Sequence, residues 1–355
     1  MDRIKVGILG ATGMAGQRYL ELLSNHPYFE VCFLAASPRS AGKTYQQATS
    51  SRWILSSPIA AEFTNIIVSN ASEVGEASEC QLVFSALDSS VAREIEPKYA
   101  EAGIVVVSNA SAFRSEPDVP VIIPEINSHH LKIIELQKAR RGWSGYIVTK
   151  PNCSIQSYLL PTFLLNRYFP VAEMVVQTMQ AISGAGYPGL PAIQMLGNVV
   201  PHIKGEEQKS EQEPLKILGS VGPDGIENSR FPRISAHCNR VPTIDGHMAC
   251  VSLSFQGKVP TISQIVDCWQ QAPTLDLPLA PKLSLVVHTD EDRPQVTLDR
   301  DNQSGMAIHV GRLRACPVHH IRFVGLSHNT LRGAAGGGLL IAELLAKTNL
   351  INKGD

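Results

Sequence analysis

Lys150-Pro151-Asn152-Cys153-Ser154 places one cysteine where a strand-like run, Tyr146 to Thr149, gives way to the apolar run Ile155, Leu159, Leu160, Phe163, Leu164. A thiol becomes a nucleophile as thiolate, and unpaired N–H groups at a helix start stabilise that anion. Asn152 suits an N-cap and Pro151 ends the strand, while Pro161, inside the apolar run, is expected to bend the helix rather than abolish it. The competing reading is a packing residue, the usual fate of a cysteine beside an apolar helix. A nucleophile needs a base, and His247 follows the turn at Gly246 and heads a strand-like run, an expected exposed mouth position. Its proton affinity lies near neutral pH, so it could accept the thiol proton and later donate one to an oxygen. Spacing alone does not bring the two together.

Two further segments have suitable chemistry. Gln180-Ala-Ile-Ser183-Gly184-Ala185-Gly186 is a strand end entering a flexible loop, where backbone N–H groups could meet a cofactor while Gln180 orients a carbonyl. Glu206-Glu207-Gln208-Lys209 offers an acid and a base three apart on one helical face, with a solvated surface pair as the plain alternative.

The elements that must position these groups begin with a buried strand over residues 3–9, followed by Gly10-Ala-Thr-Gly13-Met-Ala-Gly16 and a helical run. Strand, glycine turn and helix are the context in which such glycines admit a pyrophosphate to a helix N-terminus. An NAD site places an acid about ~20 residues further on to hold the ribose hydroxyl. Here the strand Val31 to Ala35 runs instead into Ser37, Pro38, Arg39 and Ser40, a composition that favours the 2′-phosphate of NADP. Strand-like runs at Leu82–Ser85, Ile104–Ser108 and Val121–Ile123, with a helix over Val91–Ala102 closed by Gly103, predict a parallel α/β sheet. Beyond Cys153 the runs Met174–Ile182, His247–Phe255, Leu283–Val287 and Ile321–Gly325 predict an α+β domain on a mixed, largely antiparallel sheet. Residues 204–228, polar and rich in Gly and Pro, are expected to be an exposed segment or lid. The run from Arg332 starts with small residues suited to close backbone approach and becomes an apolar helix expected to return to the first domain.

A chain of 355 residues exceeds the usual single core, so the expectation is a dinucleotide-binding domain over 1–150, completed by a helix over 331–355, and a second domain over 151–330 for catalysis and dimerisation. The net charge of −1 gives no reason to expect nucleic acid or an anionic membrane, which leaves a small-molecule partner. Seven scattered cysteines, no apolar core after Met1 and no apolar run near ~20 residues predict reduced thiols in a cytoplasmic protein. Cys316 and His319 form a lone Cys-x-x-His pair without a second pair, so no metal is expected.

Taken together, these motifs resemble the aspartate-β-semialdehyde dehydrogenase family, in the branch of fungi, archaea and some bacteria. The resemblance rests on the glycine turn at 10–16, Ser-Pro-Arg-Ser-Ala-Gly-Lys at 37–43, Ser-Asn-Ala-Ser-Ala-Phe-Arg at 108–114 and Pro-Asn-Cys-Ser at 151–154. It extends to Gln-Ala-Ile-Ser-Gly-Ala-Gly at 180–186, Gly-Glu-Glu-Gln-Lys at 205–209, Arg240 seven residues before His247, and Gly-Ala-Ala-Gly-Gly at 333–337. After His247 the chain reads Met248-Ala249-Cys250, a departure from the family's Thr-Glu-Cys. The resemblance implies Cys153 as nucleophile, His247 as general acid and base, and Gln180 as the residue positioning the acyl carbonyl. It implies Arg240 for the substrate carboxylate, Glu206 for its ammonium, Arg114 and Lys209 for phosphate, and Asn152 in the same substrate site. Contacts to NADP are implied for Gly10, Thr12, Gly13, Met14, Ser37, Arg39, Ser40, Ser85, Ser183, Gly184, Gly186 and Asn329. The implied reaction is reversible, phosphate-dependent interconversion of L-aspartate 4-semialdehyde and L-4-aspartyl phosphate through a cysteine thioacyl intermediate, serving lysine, threonine and methionine biosynthesis, in a homodimer or homotetramer. Alternatives are a related reductase acting on malonyl-CoA, a cysteine hydrolase, and an NADP-sensing binding protein. The Glu206 and Arg240 pair favours an amino-acid substrate, because malonate has no ammonium.

Overall fold

In the computed structural model residues 3–351 are described. Met1, Asp2 and residues 352–355, which the readings of the amino terminus and of the last helix include, lie outside them. Six strands, β1 (Ile4–Leu9), β2 (Phe29–Ala36), β3 (Val68–Asn70), β4 (Leu82–Ser85), β5 (Val105–Ser108) and β6 (Ile147–Thr149), form one sheet in the order β3-β2-β1-β4-β5-β6. Every pairing in it is parallel. The strands are apolar because both faces are covered: Val6, Ile8 and Phe84 pack under the helices Met14–Leu23 and Gly336–Lys347, while Val83 and Val106 meet Ala92 and Tyr99 of the helix Ser89–Glu101. The order reverses between β1 and β4, so the crevice at their carboxyl ends is the position where such sheets take ligands.

The helix Gly336–Lys347 does return to the first sheet, burying Leu339, Ile341 and Leu345 in its core for about 2 kcal/mol each. Its glycines explain the fit. A Cβ at Gly338 would lie 1.9 Å from Tyr19 Oη, whose proton goes to Asn109 Oδ1 at 3.0 Å.

The second sheet uses β7 (Val171–Gln180), β10 (Arg233–Arg240), β11 (His247–Phe255), β12 (Leu285–Val287), β13 (Ile308–Ala315) and β14 (Ile321–Ser327), and a separate hairpin pairs β8 (Ser220–Gly222) with β9 (Gly225–Glu227). The order β10-β7-β11-β14-β13-β12 is mixed: β7 is parallel to β10, β12 to β13, and the remaining pairs are antiparallel. One face carries Met174, Val176, Val251, Leu253 and Phe323 against Leu160, Leu164 and Trp269 of the helices Leu159–Asn166 and Ile262–Gln270. The other presents Val175, Gln177, Cys250 and Ser252, which are half-buried or exposed.

Three expectations change. Val121–Ile123 is a single bridge to Thr149 rather than a strand, because Pro120 and Pro124 bracket it and cannot donate to a ladder. Pro161 occupies the first turn of Leu159–Asn166, where its missing N–H has no intrahelical partner, so it imposes no bend there. Residues 204–228 are not a lid but the helix Glu206–Ile217 followed by the β8–β9 hairpin. Part of their polarity faces inward: Glu206, Ser210, Glu213 and Lys216 are buried, while Lys204, Gln208, Gln212 and Asp224 stay exposed. Lys216 Nζ donates to the carbonyls of Arg114, Glu116 and Val119 at 2.7, 2.5 and 2.7 Å, clamping the loop that follows β5.

Candidate active site

Cys153 opens a 3-10 turn, Cys153–Ser157, that precedes the helix Leu159–Asn166. Asn152 caps the turn, its Oδ1 accepting from Ser154 N at 3.0 Å. The glycine turn from the end of the chain presses on the other side, where a Cβ at Gly333 would lie 2.8 Å from Cys153 Cβ. This close approach is the role the small residues after Arg332 fill.

Cys153 Sγ lies 3.3 Å from His247 Nε2. His247 heads β11 as the sequence predicts, yet it is fully buried rather than at an exposed mouth, because β7, β11 and the turn at Ile182–Ala185 close over it. Its Nδ1 accepts the Ala181 N–H at 3.0 Å. A neutral ring whose Nδ1 is an acceptor carries its proton on Nε2, facing the sulfur. Burial, reinforced by the Arg240 charge, pushes the imidazolium form down to about 3, so the ring is neutral at physiological pH. Burial and then the Glu206 charge push the Cys153 thiol up, with Lys150, Arg114 and Arg240 opposing. The free cleft therefore holds a thiol, and the turn's N–H groups do not by themselves make a thiolate.

Around the sulfur the charges form one network. Glu206, buried at the first turn of its helix, accepts from Asn152 Nδ2 at 2.9 Å, Gln180 Nε2 at 3.2 Å and Lys209 Nζ at 2.8 Å. Glu207 turns away and accepts from Cys238 N at 3.3 Å, so Glu206 is the acid in the cleft. Burial opposes ionisation of Glu206, but Lys209 and these amides hold its carboxyl below the usual range. Arg240 Nη1 donates to Ala181 O at 2.7 Å at the end of β10. Arg114 donates to Glu213 Oε1 at 2.8 Å and to Asn109 O at 2.7 Å. Glu213 Oε2 in turn accepts from Asn152 N at 2.6 Å. Cys153, Arg114, Asn152, Gln180, Glu206, Lys209 and Arg240 line one cleft of about 520 Å³ between the two sheets.

The cleft extends to the first sheet's ligand edge. Met14, Ser183, Gly184, Gly186 and Asn329 line it. Gly10, Thr12 and Gly13 form the turn behind Met14, where a Cβ on Gly10 would lie 2.7 Å from Ala86 O, and Gly13 leaves the N-terminus of the helix Met14–Leu23 without a side-chain cap. That combination suits a pyrophosphate. Ser37 and Arg39 are exposed and Ser40 is buried in the turn after β2, at the same edge. Ser85 is fully buried at the end of β4, next to the Glu96 carboxyl. Asn329 acts as a strut, its Nδ2 donating to Ser183 Oγ and its Oδ1 accepting from Gly246 N, both at 2.7 Å.

Four participants were not singled out from the sequence: Lys150, Glu213, Lys216 and the Ala181 N–H. Glu213 had a signal, lying seven residues after Glu206 on the same helix face. The others had none, because bonds made by backbone carbonyls and N–H groups leave no mark in side-chain order. Elsewhere His288, Asp299 and His309 bring ligand-type atoms within 4.8 Å of one another, the one such group among the described residues. The two rings, inclined by 23°, meet nitrogen to nitrogen at 2.9 Å, while Asp299 is held instead by Arg293 and by Gln295 N.

Residues 5–134 match the family model described as semialdehyde dehydrogenase, NAD binding domain, and residues 163–332 match the semialdehyde dehydrogenase dimerisation domain. The aspartate-semialdehyde dehydrogenase of Archaeoglobus fulgidus is 45% identical over 351 residues, covering 98% of this chain and all of that protein. That of Schizosaccharomyces pombe is 45% identical over 357 residues, covering 98% and 99%. The crystal structure of the Candida albicans aspartate-semialdehyde dehydrogenase with NADP superposes with a TM-score of 0.90 at 40% identity, covering 98% of this chain and all of that one.

Proposed function

The chain belongs to the aspartate-semialdehyde dehydrogenase family, and from that membership we propose that it interconverts L-aspartate 4-semialdehyde and L-4-aspartyl phosphate, with NADP and inorganic phosphate as co-substrates. The observation that carries this reading is the charge layout of one cleft, in which a thiol sits among an acid, Glu206, and the cations Arg240, Arg114 and Lys209. An amino-acid substrate needs one anchor of each sign, and a departing phosphate needs further cations.

In the reductive direction Cys153 Sγ bonds the acyl carbon as its S–H bond breaks, the C–O bond to phosphate breaks, phosphate leaves with the proton toward Arg114 and Lys209, and a thioacyl group remains on the sulfur. Arg240 holds the α-carboxylate and Glu206 the ammonium, while Gln180 and Asn152 fix the acyl group beside the sulfur. The glycine turn, with Ser37, Arg39 and Ser40 at the same edge, would hold the cofactor, which in its reduced form, NADPH, would supply the hydride in this direction. The Nε2–H of His247 faces the reacting centre and donates to the oxygen on which charge develops. The open face of the second sheet, within the region matching the dimerisation domain, supports a homodimer or a tetramer built from it. No helix among the described residues is long and apolar enough to cross a membrane, and we place the enzyme in the cytoplasm, in amino-acid biosynthesis.

The test is phosphate-dependent NADP reduction with aspartate semialdehyde and with malonate semialdehyde. A preference for the amino acid of about 100-fold or more in kcat/KM is expected, since malonate semialdehyde has no ammonium and forfeits the charge-assisted contact that buried Glu206 offers. Equal or reversed preference would overturn the assignment.

Gly184 offers a finer check on this geometry. Its added Cβ would lie 2.7 Å from Arg240 Nη1 and 3.2 Å from His247 Cε1. Gly184→Ala should therefore displace the carboxylate anchor and lower kcat/KM about 10- to 100-fold, with the thermal midpoint nearly unchanged. Wild-type kinetics in this variant would show that Arg240 does not hold substrate where the cleft places it.

A further inference from the structure

Glu213 lies on the same face of the helix Glu206–Ile217 as Glu206, about 10 Å further along its axis. It does not line the active-site cleft, yet each of its oxygens holds a residue that does. Oε1 accepts from Arg114 Nη1 at 2.8 Å, and Oε2 accepts from the backbone N–H of Asn152 at 2.6 Å. The Arg114 and Glu213 side chains are 7% and 8% exposed, so the first contact is a buried ion pair. Asn152 is thus gripped twice from one helix, its Nδ2 donating to Glu206 and its N–H to Glu213. The two groups bridged by Glu213 lie 99 and 61 positions away in the chain, in the loop after β5 and in the turn that carries Cys153.

Glu213 takes no part in bond making, because it neither lines the cleft nor bonds to the sulfur. Its placement still decides where the phosphate cation stands. The Arg114 guanidinium is pinned at two corners, Nη1 by Glu213 and Nη2 by Asn109 O at 2.7 Å, which leaves one hydrogen on each of these nitrogens for an anion in the cleft. Among the described residues Glu213 is also the one carboxylate within ion-pair distance of that buried charge. We propose that Glu213 is a positioning residue for the phosphate step: it braces the guanidinium of Arg114 against the turn that carries Cys153 and so fixes the phosphate cation relative to the nucleophile. That role rests on the reading of Arg114 as a phosphate contact. Two effects of the carboxylate oppose each other there, since its charge weakens anion binding while its geometry strengthens binding by holding the cation in place. The sign of the change when the charge is removed and the shape kept separates a brace from a charge brake. Glutamine does this, and it cannot serve both partners, because one of its two ends is an NH₂ group that meets another donor.

The experiment measures the concentration of inorganic phosphate that half-protects Cys153 from iodoacetamide, scored on the Cys153 peptide by mass spectrometry and referred to each variant's own unprotected rate. Glu213→Gln should raise that concentration about 10-fold, since a misplaced guanidinium binds phosphate less well. Arg114→Lys should raise it by about the same factor, because an ammonium cannot reproduce the fork. In the double variant Glu213→Gln should add less than about twofold, as a group that acts through Arg114 has nothing left to position. Glu213→Asp keeps the charge but shortens the reach by one methylene, and its expected rise of about 5-fold should likewise vanish beside Arg114→Lys. The aspartate arms decide the matter even if Glu213→Gln does not fold. A wild-type protein that phosphate does not protect, a tighter or unchanged phosphate site in Glu213→Gln, or factors that multiply in the double variant would each overturn the role. No aldehyde or NADP enters this readout. A protein that binds phosphate yet rejects aspartate semialdehyde therefore fails the substrate assay and passes this one.

Discussion

Cys153→Ala is expected to lower phosphate-dependent NADP reduction by about 10⁴-fold or more while leaving the NADPH dissociation constant within about twofold. Alanine keeps the Cβ against which Gly333 packs and deletes only the sulfur, so neither the glycine turn nor the cap by Asn152 need move. The charged anchors are also intact, since Glu206, Lys209, Arg114 and Glu213 bond to one another and not to the thiol. What disappears is the atom that carries the acyl group between hydride and phosphate. Serine would not substitute, because a hydroxyl is far less acidic than a thiol that burial already holds protonated. Steady-state rates with fluorescence titration of NADPH check the result. Turnover within tenfold of wild type would exclude the covalent route, and loss of NADPH binding would place the cysteine in the cofactor site instead.

The second large effect concerns stability. Arg332 lies in the glycine-rich turn and meets Glu125 with two parallel bonds, Nη1 to Oε1 at 2.7 Å and Nη2 to Oε2 at 2.8 Å, while its Nε donates to Gln156 Oε1 at 3.1 Å. Both charged groups are shut off from water. Arg332→Met should cost about 3–5 kcal/mol, because it strands the Glu125 carboxylate in the interior. Arg332→Met combined with Glu125→Leu should recover most of that loss, since a buried pair replaced by apolar groups is often nearly neutral. Denaturant unfolding of the two variants checks this. A single variant within about 1 kcal/mol of wild type, or a double variant no better than the single, would rule out the account. The pair joins residues distant in sequence at the place where Gly333 meets Cys153, so the single variant should lose activity as well.

Much of the fold was legible because its signals are local. The strand, glycine turn and helix at 4–23 follow from apolar runs and glycine spacing, and β11 was readable to the residue from alternation in 247–255. The segment 204–228 misled because composition records polarity but not direction. Glu206, Glu213 and Lys216 point inward to partners supplied by other parts of the chain, and a polar segment with buried partners looks in sequence like a solvated one.

The sequence by itself determined the chemistry on offer: one thiol in a Pro-Asn-Cys-Ser turn, a histidine heading a strand, an acid and a lysine sharing a helix face, and a glycine turn with Ser37, Arg39 and Ser40 beyond it. Only the tertiary structure decided which of these groups meet and in what protonation state. The 3.3 Å approach of Cys153 to His247 spans 94 positions in the chain, and the Ala181 N–H that places the imidazole proton belongs to another strand's end. Lys150 stands beside the cysteine in both descriptions. Its proton affinity, though, depends on how much water and which charges surround it, and those are set by the packing of the glycine turn, the Arg114 loop and the helix Glu206–Ile217 around one cleft.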